Sequence, residues 1–75
     1  MLSEIKMIDL PEVLTAKDIS AYLKISRRRV YELFILHPEH GGIPNITIGA
    51  SKRVRRDTFV QWLERQEANN ESKAI

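Results

Sequence analysis

The sequence contains no cysteine, and this absence narrows the ways in which its fold can be stabilised. The 75 residues also include only three glycines, three prolines and five aromatic residues of the Phe, Trp and Tyr types. Without thiols, neither a disulfide nor a cysteine-ligated zinc ion is available. A chain of this length lies near the lower limit at which a hydrophobic core suffices alone. We therefore expect one small domain that is stabilised by packed apolar side chains.

Long apolar runs and catalytic motifs are missing as well. No run approaches the roughly 18–20 residues that span a bilayer, and no signal-peptide pattern is present, which predicts a cytoplasmic protein with no membrane partner. The five serines come without a matching base, and there is no glycine-rich phosphate loop. Two histidines around Pro38 are too few for a zinc site. We expect no enzyme, no cofactor, no metal and no small-molecule effector.

The charge, in contrast, is concentrated in one part of the chain. The net charge is only +2, but eight basic and two acidic residues lie between Lys24 and Arg56. The stretches before and after this segment each carry two more acidic than basic residues. Such a separation is typical of a one-sided surface that binds an anionic partner.

Three consecutive arginines, Arg27–Arg29, give the sharpest signal. Ser26 is a favourable N-cap, and the i, i+3, i+4 spacing of Val30, Leu33 and Phe34 predicts a helix that starts directly after it. A cation in the first turn opposes the helix dipole and costs ~0.3–1 kcal/mol. A helix start that is unfavourable for stability indicates an anionic partner, with nucleic acid as the first candidate.

The flanking sequence predicts a helix-turn-helix. Thr15 and Asp18 fit a capping box, which starts a first helix that runs to about Lys24. Only two residues then precede the second helix, predicted over Arg27–Leu36 and stopped before Pro38. So short a connection forces the two helices to cross at a steep angle.

A basic hairpin is predicted after the proline loop. Residues 45–48 and 53–55 alternate like strands, and a glycine-containing turn joins them. In this alternation Ile46, Ile48 and Val54 are expected to face the core. Arg53 and Arg55 are expected to face solvent and make the hairpin a basic wing.

A closing helix and two flanking segments complete the predicted organisation. Phe59, Trp62 and Leu63 predict a third helix that starts near Asp57 and ends near Gln66. The expected units are an N-terminal arm at 1–12, a domain at 13–66 and a polar C-terminal tail at 67–75.

The candidate binding residues come from the second helix and the wing. With Val30 and Phe34 inward, Arg28 lies near the centre of the outward face, where a guanidinium donates two hydrogen bonds to guanine O6 and N7. The wing cations are expected on the sugar-phosphate backbone or in the minor groove. The predicted DNA-binding residues are Ser26, Arg27, Arg28, Arg29, Tyr31, Glu32, Ser51, Lys52, Arg53 and Arg55.

This order of motifs resembles the excisionase-type, MerR-like winged helix-turn-helix family. The residues that carry the resemblance are 14–23, 25–27, 30–31, 43–44, 48–49, 54 and 59–63. The resemblance implies a mainly α fold with a small β-hairpin and a recognition helix in the major groove of double-stranded DNA. It also implies an excisionase of a phage or mobile element that assists an integrase, or a small prophage transcription regulator. A module of this size buries only ~600–1,000 Å² on DNA, so neighbouring sites, a second copy of itself or an integrase are expected to supply the remaining affinity. Family wings often carry arginine at the position of Ala50 and an aromatic residue at that of Lys52, so this wing departs from the pattern.

Two other functions remain open at this point. An acidic protein surface is an alternative partner for the same arginines, which would make the chain a protein-interaction adaptor on a winged-helix scaffold. An RNA-binding function is less favoured, because the aromatic residues that would stack on bases are expected in the core.

Overall fold

The order of helices and strands follows the predicted winged helix-turn-helix. The computed structural model describes residues 10–73. Its elements are β1 (Val13–Leu14), α1 (Ala16–Leu23), α2 (Arg27–Ile35), a 3₁₀ turn (Pro38–His40), β2 (Ile46–Ile48), β3 (Ser51–Arg55) and α3 (Arg56–Lys73). The fold class is thus confirmed as three helices with a small antiparallel sheet.

Side-chain caps set the boundaries of the helix-turn-helix. The Thr15 hydroxyl accepts a hydrogen bond from Asp18 N at 3.1 Å, and the Asp18 carboxylate accepts one from Thr15 N at 3.0 Å. Lys24 ends α1 in the left-handed conformation, with φ 60°. Ser26 Oγ then accepts from Arg29 N at 3.2 Å and starts α2. The predicted capping box and the predicted N-cap are both confirmed.

A third strand widens the hairpin into a sheet with the order β1-β3-β2. β1 pairs antiparallel with β3, with Leu14 opposite Val54, and both side chains are fully buried. The sequence indicates only an extended entry at Glu12–Leu14. Two residues are too few for alternation to identify a strand.

The predicted orientation of Ile46 and Ile48 is wrong. These side chains are 49% and 63% exposed, whereas Val54 is fully buried. The register places Ile46 opposite Arg53 and Ile48 opposite Ser51. Directly opposed residues share one face of a sheet, so both isoleucines lie on the face opposite to Val54. Alternation shows which residues of one strand share a face. It does not give the register with the partner strand, and a shift of one residue in that register moves the side chains to the opposite face of the sheet.

The core lies between the helices and the inner face of the sheet. Its buried apolar residues are Leu10, Leu14, Ala16, Ile19, Val30, Phe34, Ile43, Val54, Phe59 and Trp62. Tyr22, Leu23, Leu33 and Leu63 pack against this cluster. Trp62 donates its indole N–H to Gly41 O at 3.0 Å, which ties the loop after α2 to α3.

The closing helix is longer than predicted, because α3 continues beyond Gln66 to Lys73. The sequence 67–73 is polar but contains neither glycine nor proline, so nothing in it breaks the helix. Residues 67–70 are exposed. No helix within residues 10–73 combines the length and the apolarity that crossing a bilayer requires.

The predicted N-terminal arm lies mostly outside the described residues, which begin at Leu10. Leu10 belongs to the core, and its carbonyl accepts from Arg56 Nη1 at 2.9 Å. Arg56 N also donates to Glu12 O at 2.8 Å. The end of the predicted arm is therefore bound to the start of α3.

Gly42 lies where the backbone leaves no room for a side chain. A Cβ at this position would lie 1.8 Å from Leu36 O, and Gly42 is buried against the end of α2. We expect Gly42→Ala to lower the free energy of unfolding by about 3 kcal/mol, because the backbone must shift to admit the methyl group. The matched control is Gly49→Ala: Gly49 has φ +62° but no atom within 4 Å of the added Cβ, and we expect a loss of about 1 kcal/mol. Urea denaturation of both variants tests this order, and equal losses would contradict it.

Candidate nucleic-acid interface

The first turn of α2 presents three arginines to solvent. Arg28 and Arg29 have side chains that are 89% and 69% exposed. Their Nε atoms lie 4.0 Å and 3.9 Å from the Glu32 carboxylate. Exposed ion pairs at such distances contribute between zero and about 1 kcal/mol. Glu32 therefore leaves both guanidinium groups available to a partner.

The three arginines point in different directions around α2. Val30 and Phe34 are buried, so Arg28 lies close to the middle of the exposed side of the helix. Arg27 and Tyr31, one turn apart, both line a cleft between the helix-turn-helix and the wing. Arg29 lies on the flank away from that cleft.

This cleft, which we call the basic cleft, has a volume of about 340 Å³. The residues that line it are Thr15, Ala16, Lys17, Arg27, Tyr31, Ala50, Ser51, Lys52 and Arg53. Four of these carry positive charge, and none of the described lining residues is acidic. A concave surface of one charge sign concentrates the electrostatic potential and attracts anions.

The pairing of β1 with β3 brings the two walls of the basic cleft together. β1 runs directly into Thr15, the N-cap of α1. Because Leu14 lies opposite Val54 in antiparallel register, the chain beyond Leu14 continues alongside Arg53 and Lys52. The first turn of α1 therefore lies beside the wing cations.

The wing side chains are held by local hydrogen bonds. Lys52 Nζ donates to Thr47 Oγ1 across the hairpin at 3.1 Å. Arg53 Nη1 donates to Lys52 O at 2.9 Å. Both residues are partly buried, whereas Ser51 is exposed. These bonds restrain both cations beside the cleft and leave their charge uncompensated.

Five of the ten residues predicted from the sequence line this cleft. Arg27, Tyr31, Ser51, Lys52 and Arg53 line it, while Ser26, Arg28, Arg29 and Glu32 belong to the same end or the exposed side of α2. Arg55 does not line it. That side chain lies in a separate depression with Glu12, Arg56 and Asp57.

Four residues of the basic cleft are absent from the set predicted from the sequence: Thr15, Ala16, Lys17 and Ala50. Lys17 is the charged one among them. Lys17 lies in a segment of negative net charge, so the charge count conceals it. The feature that indicates its role is the position of Lys17 in the first turn of α1, directly after a strand that pairs with the wing. Recognising that signal requires the register of β1.

One of the two histidines near Pro38 has a structural role. His37 Nδ1 accepts from Glu39 N at 3.1 Å and caps the 3₁₀ turn. Within residues 10–73, no three His, Cys, Asp or Glu side chains gather closely enough to hold a metal ion.

Comparison with known families agrees with this geometry. Residues 13–67 match the family model described as a helix-turn-helix domain, which covers most of the chain. No curated protein and no solved structure matches the chain significantly. The match spans β1, the helix-turn-helix, the wing and the first part of α3, so it contains every wall of the basic cleft.

The N-cap and the charges in the first turn of α2 affect the stability of the fold. Replacing Arg27 by Glu exchanges an unfavourable charge–dipole interaction for a favourable one and places an anion among the cleft cations. We expect Arg27→Glu to raise the free energy of unfolding by about 1 kcal/mol. Ser26→Ala removes the N-cap bond to Arg29 N and is expected to lower it by about 1 kcal/mol. Urea denaturation measures both; a loss of stability in Arg27→Glu would show that Arg27 is a structural residue.

Proposed function

This chain belongs to the family of excisionase-type helix-turn-helix DNA-binding domains, and we propose that it binds double-stranded DNA sequence-specifically. In this proposal α2 lies in the major groove and the wing holds the adjacent backbone. The observation that carries it is the basic cleft, in which four cations from α1, α2 and β3 converge without an acidic residue among the described lining residues.

Base recognition is assigned to the exposed side of α2. Arg28, the outermost arginine of the first turn, reads guanine through a bidentate contact. Glu32 orients Arg28 and Arg29, whose Nε atoms it approaches, or accepts from cytosine N4. Tyr31, with its ring edge-to-face on Phe34 at 6.0 Å, is held firmly enough to contact a thymine methyl or a phosphate.

Backbone binding is assigned to the basic cleft. Lys17, Arg27, Lys52 and Arg53 surround the path of one sugar-phosphate strand as it passes between α2 and the wing. The Ser51 hydroxyl at the start of β3 donates to the same strand. Such contacts supply affinity and fix the register of α2, but carry little sequence information. Arg55 would contact DNA only beyond this cleft, at the outer side of the wing.

The biological role that we propose is that of a phage or mobile-element excisionase, or of a small prophage regulator. A single module of this size buries ~600–1,000 Å² on DNA, so useful affinity calls for a second copy or an integrase bound beside it. Clustered direct repeats in a nuclease footprint would favour the excisionase, and one promoter-overlapping site would favour the regulator.

The alternative of a protein-interaction adaptor has one observation in its favour. Val13, Ile46 and Ile48 are exposed aliphatic residues of the sheet, and the register places them on the face away from the core. An interface there would be held by apolar contacts, whereas the proposed DNA contacts at the basic cleft are electrostatic. Heparin would displace DNA but leave such a protein complex intact.

Salt dependence tests whether phosphates dominate binding. If the four cleft cations and Arg29 each neutralise a phosphate, log K against log salt should fall with a slope of about −5. Gel-shift titrations over a range of salt concentrations measure this slope. A slope near zero would contradict an electrostatic interface.

Two alanine variants separate base recognition from backbone binding. We expect Arg28→Ala to weaken binding to a selected site about tenfold more than binding to random DNA, because one base contact is lost. Lys52→Ala is expected to weaken both to the same extent, because it removes a phosphate contact.

Arg65→Ala provides the matched control for these variants, since Arg65 is exposed on α3 and does not line the basic cleft. Fluorescence anisotropy with both duplexes gives the affinities. Equal selectivity losses from Arg28→Ala and Lys52→Ala would contradict the assignment of the two surfaces.

A further inference from the structure

The last turn of α2 carries an exposed side chain that no part of the described structure explains. Ile35 is 81% exposed, the highest value among the large apolar residues of the described chain. It follows Arg28 by seven residues, almost two full helical turns, so the two side chains project from the same side of α2. Tyr31 lies between them on that side and is 51% exposed.

This end of α2 is anchored by hydrogen bonds, although its outer side is uncovered. Leu33 O accepts from Ile43 N at 2.9 Å, and Phe34 O accepts from the Asn45 side chain at 3.0 Å. The Asn45 amide also bonds Ile43 O at 2.8 Å. The last carbonyls of the helix are thus bound from the inner side by the following loop. Ile35 is therefore held in place by its backbone and is not part of a frayed terminus.

Charge restricts what Ile35 is able to contact. The C-terminal end of a helix carries a partial negative charge, which disfavours a phosphate beside it. In the major groove the thymine C5-methyl group is the apolar feature of the base edges. An apolar side chain at the negative end of a recognition helix is therefore suited to that methyl group and not to the backbone.

We propose that Ile35 is a specificity-determining residue that recognises a thymine methyl group in the major groove, in line with Arg28. This inference rests on the proposed DNA-binding function and adds to it the orientation of α2 in the major groove. For both side chains to reach base edges, α2 must lie lengthwise in the groove. Seven residues advance about 10 Å along the helix axis, so the thymine lies about three base pairs from the guanine that Arg28 reads.

The test begins with a duplex site selected from a randomised library by the full chain. Each thymine of that site is then replaced by uracil, which lacks the methyl group and keeps the same hydrogen-bonding pattern. We expect one replacement, about three base pairs from the guanine contacted by Arg28, to weaken binding about fourfold, the factor for burial of one methyl group. This measurement requires no variant of the protein.

Variants assign the effect to Ile35. In Ile35→Ala the thymine and uracil sites should bind equally, whereas Arg28→Ala should retain the fourfold difference. Ile48→Ala is the matched control, because Ile48 is also an exposed isoleucine but belongs to the wing, and it should retain the difference. Circular dichroism melting should show little change for Ile35→Ala, since the side chain packs against little.

The outcomes separate this inference from the proposed function. A selected site without a sensitive thymine, or full uracil sensitivity in Ile35→Ala, would overturn the role of Ile35 and leave DNA binding intact. Loss of self-association in Ile35→Ala with an unchanged thymine-to-uracil ratio would assign the residue to a second copy and overturn the inference. Failure of the wild-type chain to select any site would contradict both.

Discussion

The pairing of Leu14 with Val54 is the contact on which the rest of the arrangement depends. Both side chains are fully buried, and their antiparallel register fixes the wing beside the first turn of α1. Since Thr15 follows Leu14 directly, no linker residue separates the strand from the capping box that starts the helix-turn-helix. One two-residue strand therefore sets the distance between α2 and the wing. A shift of one residue in this register would turn Val54 outward and separate the cations of the basic cleft.

In the proposed function, the arginines at the start of α2 favour DNA binding but disfavour the helix, and the surrounding structure offsets this loss of stability. Three arginines follow Ser26 where acidic residues would favour the helix. The N-cap bond of Ser26, the buried contacts of Val30 and Phe34, and the side-chain bond from Asn45 to the helix end hold α2 in place. The same helix carries guanidinium groups at its positive end and an apolar side chain at its negative end. Charge and apolar contact are thus separated along a single element.

The sequence was sufficient for α1, for α2 and for five of the nine residues that line the basic cleft, because those signals are local. The end of α3 was predicted near Gln66, but the helix continues to Lys73. Capping residues and the i, i+3, i+4 spacing predicted α1 and α2 to within one residue. The sheet was predicted less well: β1 is too short to be recognised, and the orientation of Ile46 and Ile48 depends on register with β3. Lys17 was missed for the same reason, since only the β1–β3 pairing brings α1 to the wing. Non-local pairing, and not residue type, limited the prediction.

The most direct test of the account is an NMR titration of the ¹⁵N-labelled chain with a short DNA duplex at low salt. We expect the largest amide shift changes around the basic cleft and the first turn of α2, at Lys17, Arg27, Arg28 and Arg53. Amides on the exposed part of α3 should change little. Shift changes centred on Val13, Ile46 and Ile48, or spread along α3, would contradict a single cationic surface that binds the duplex.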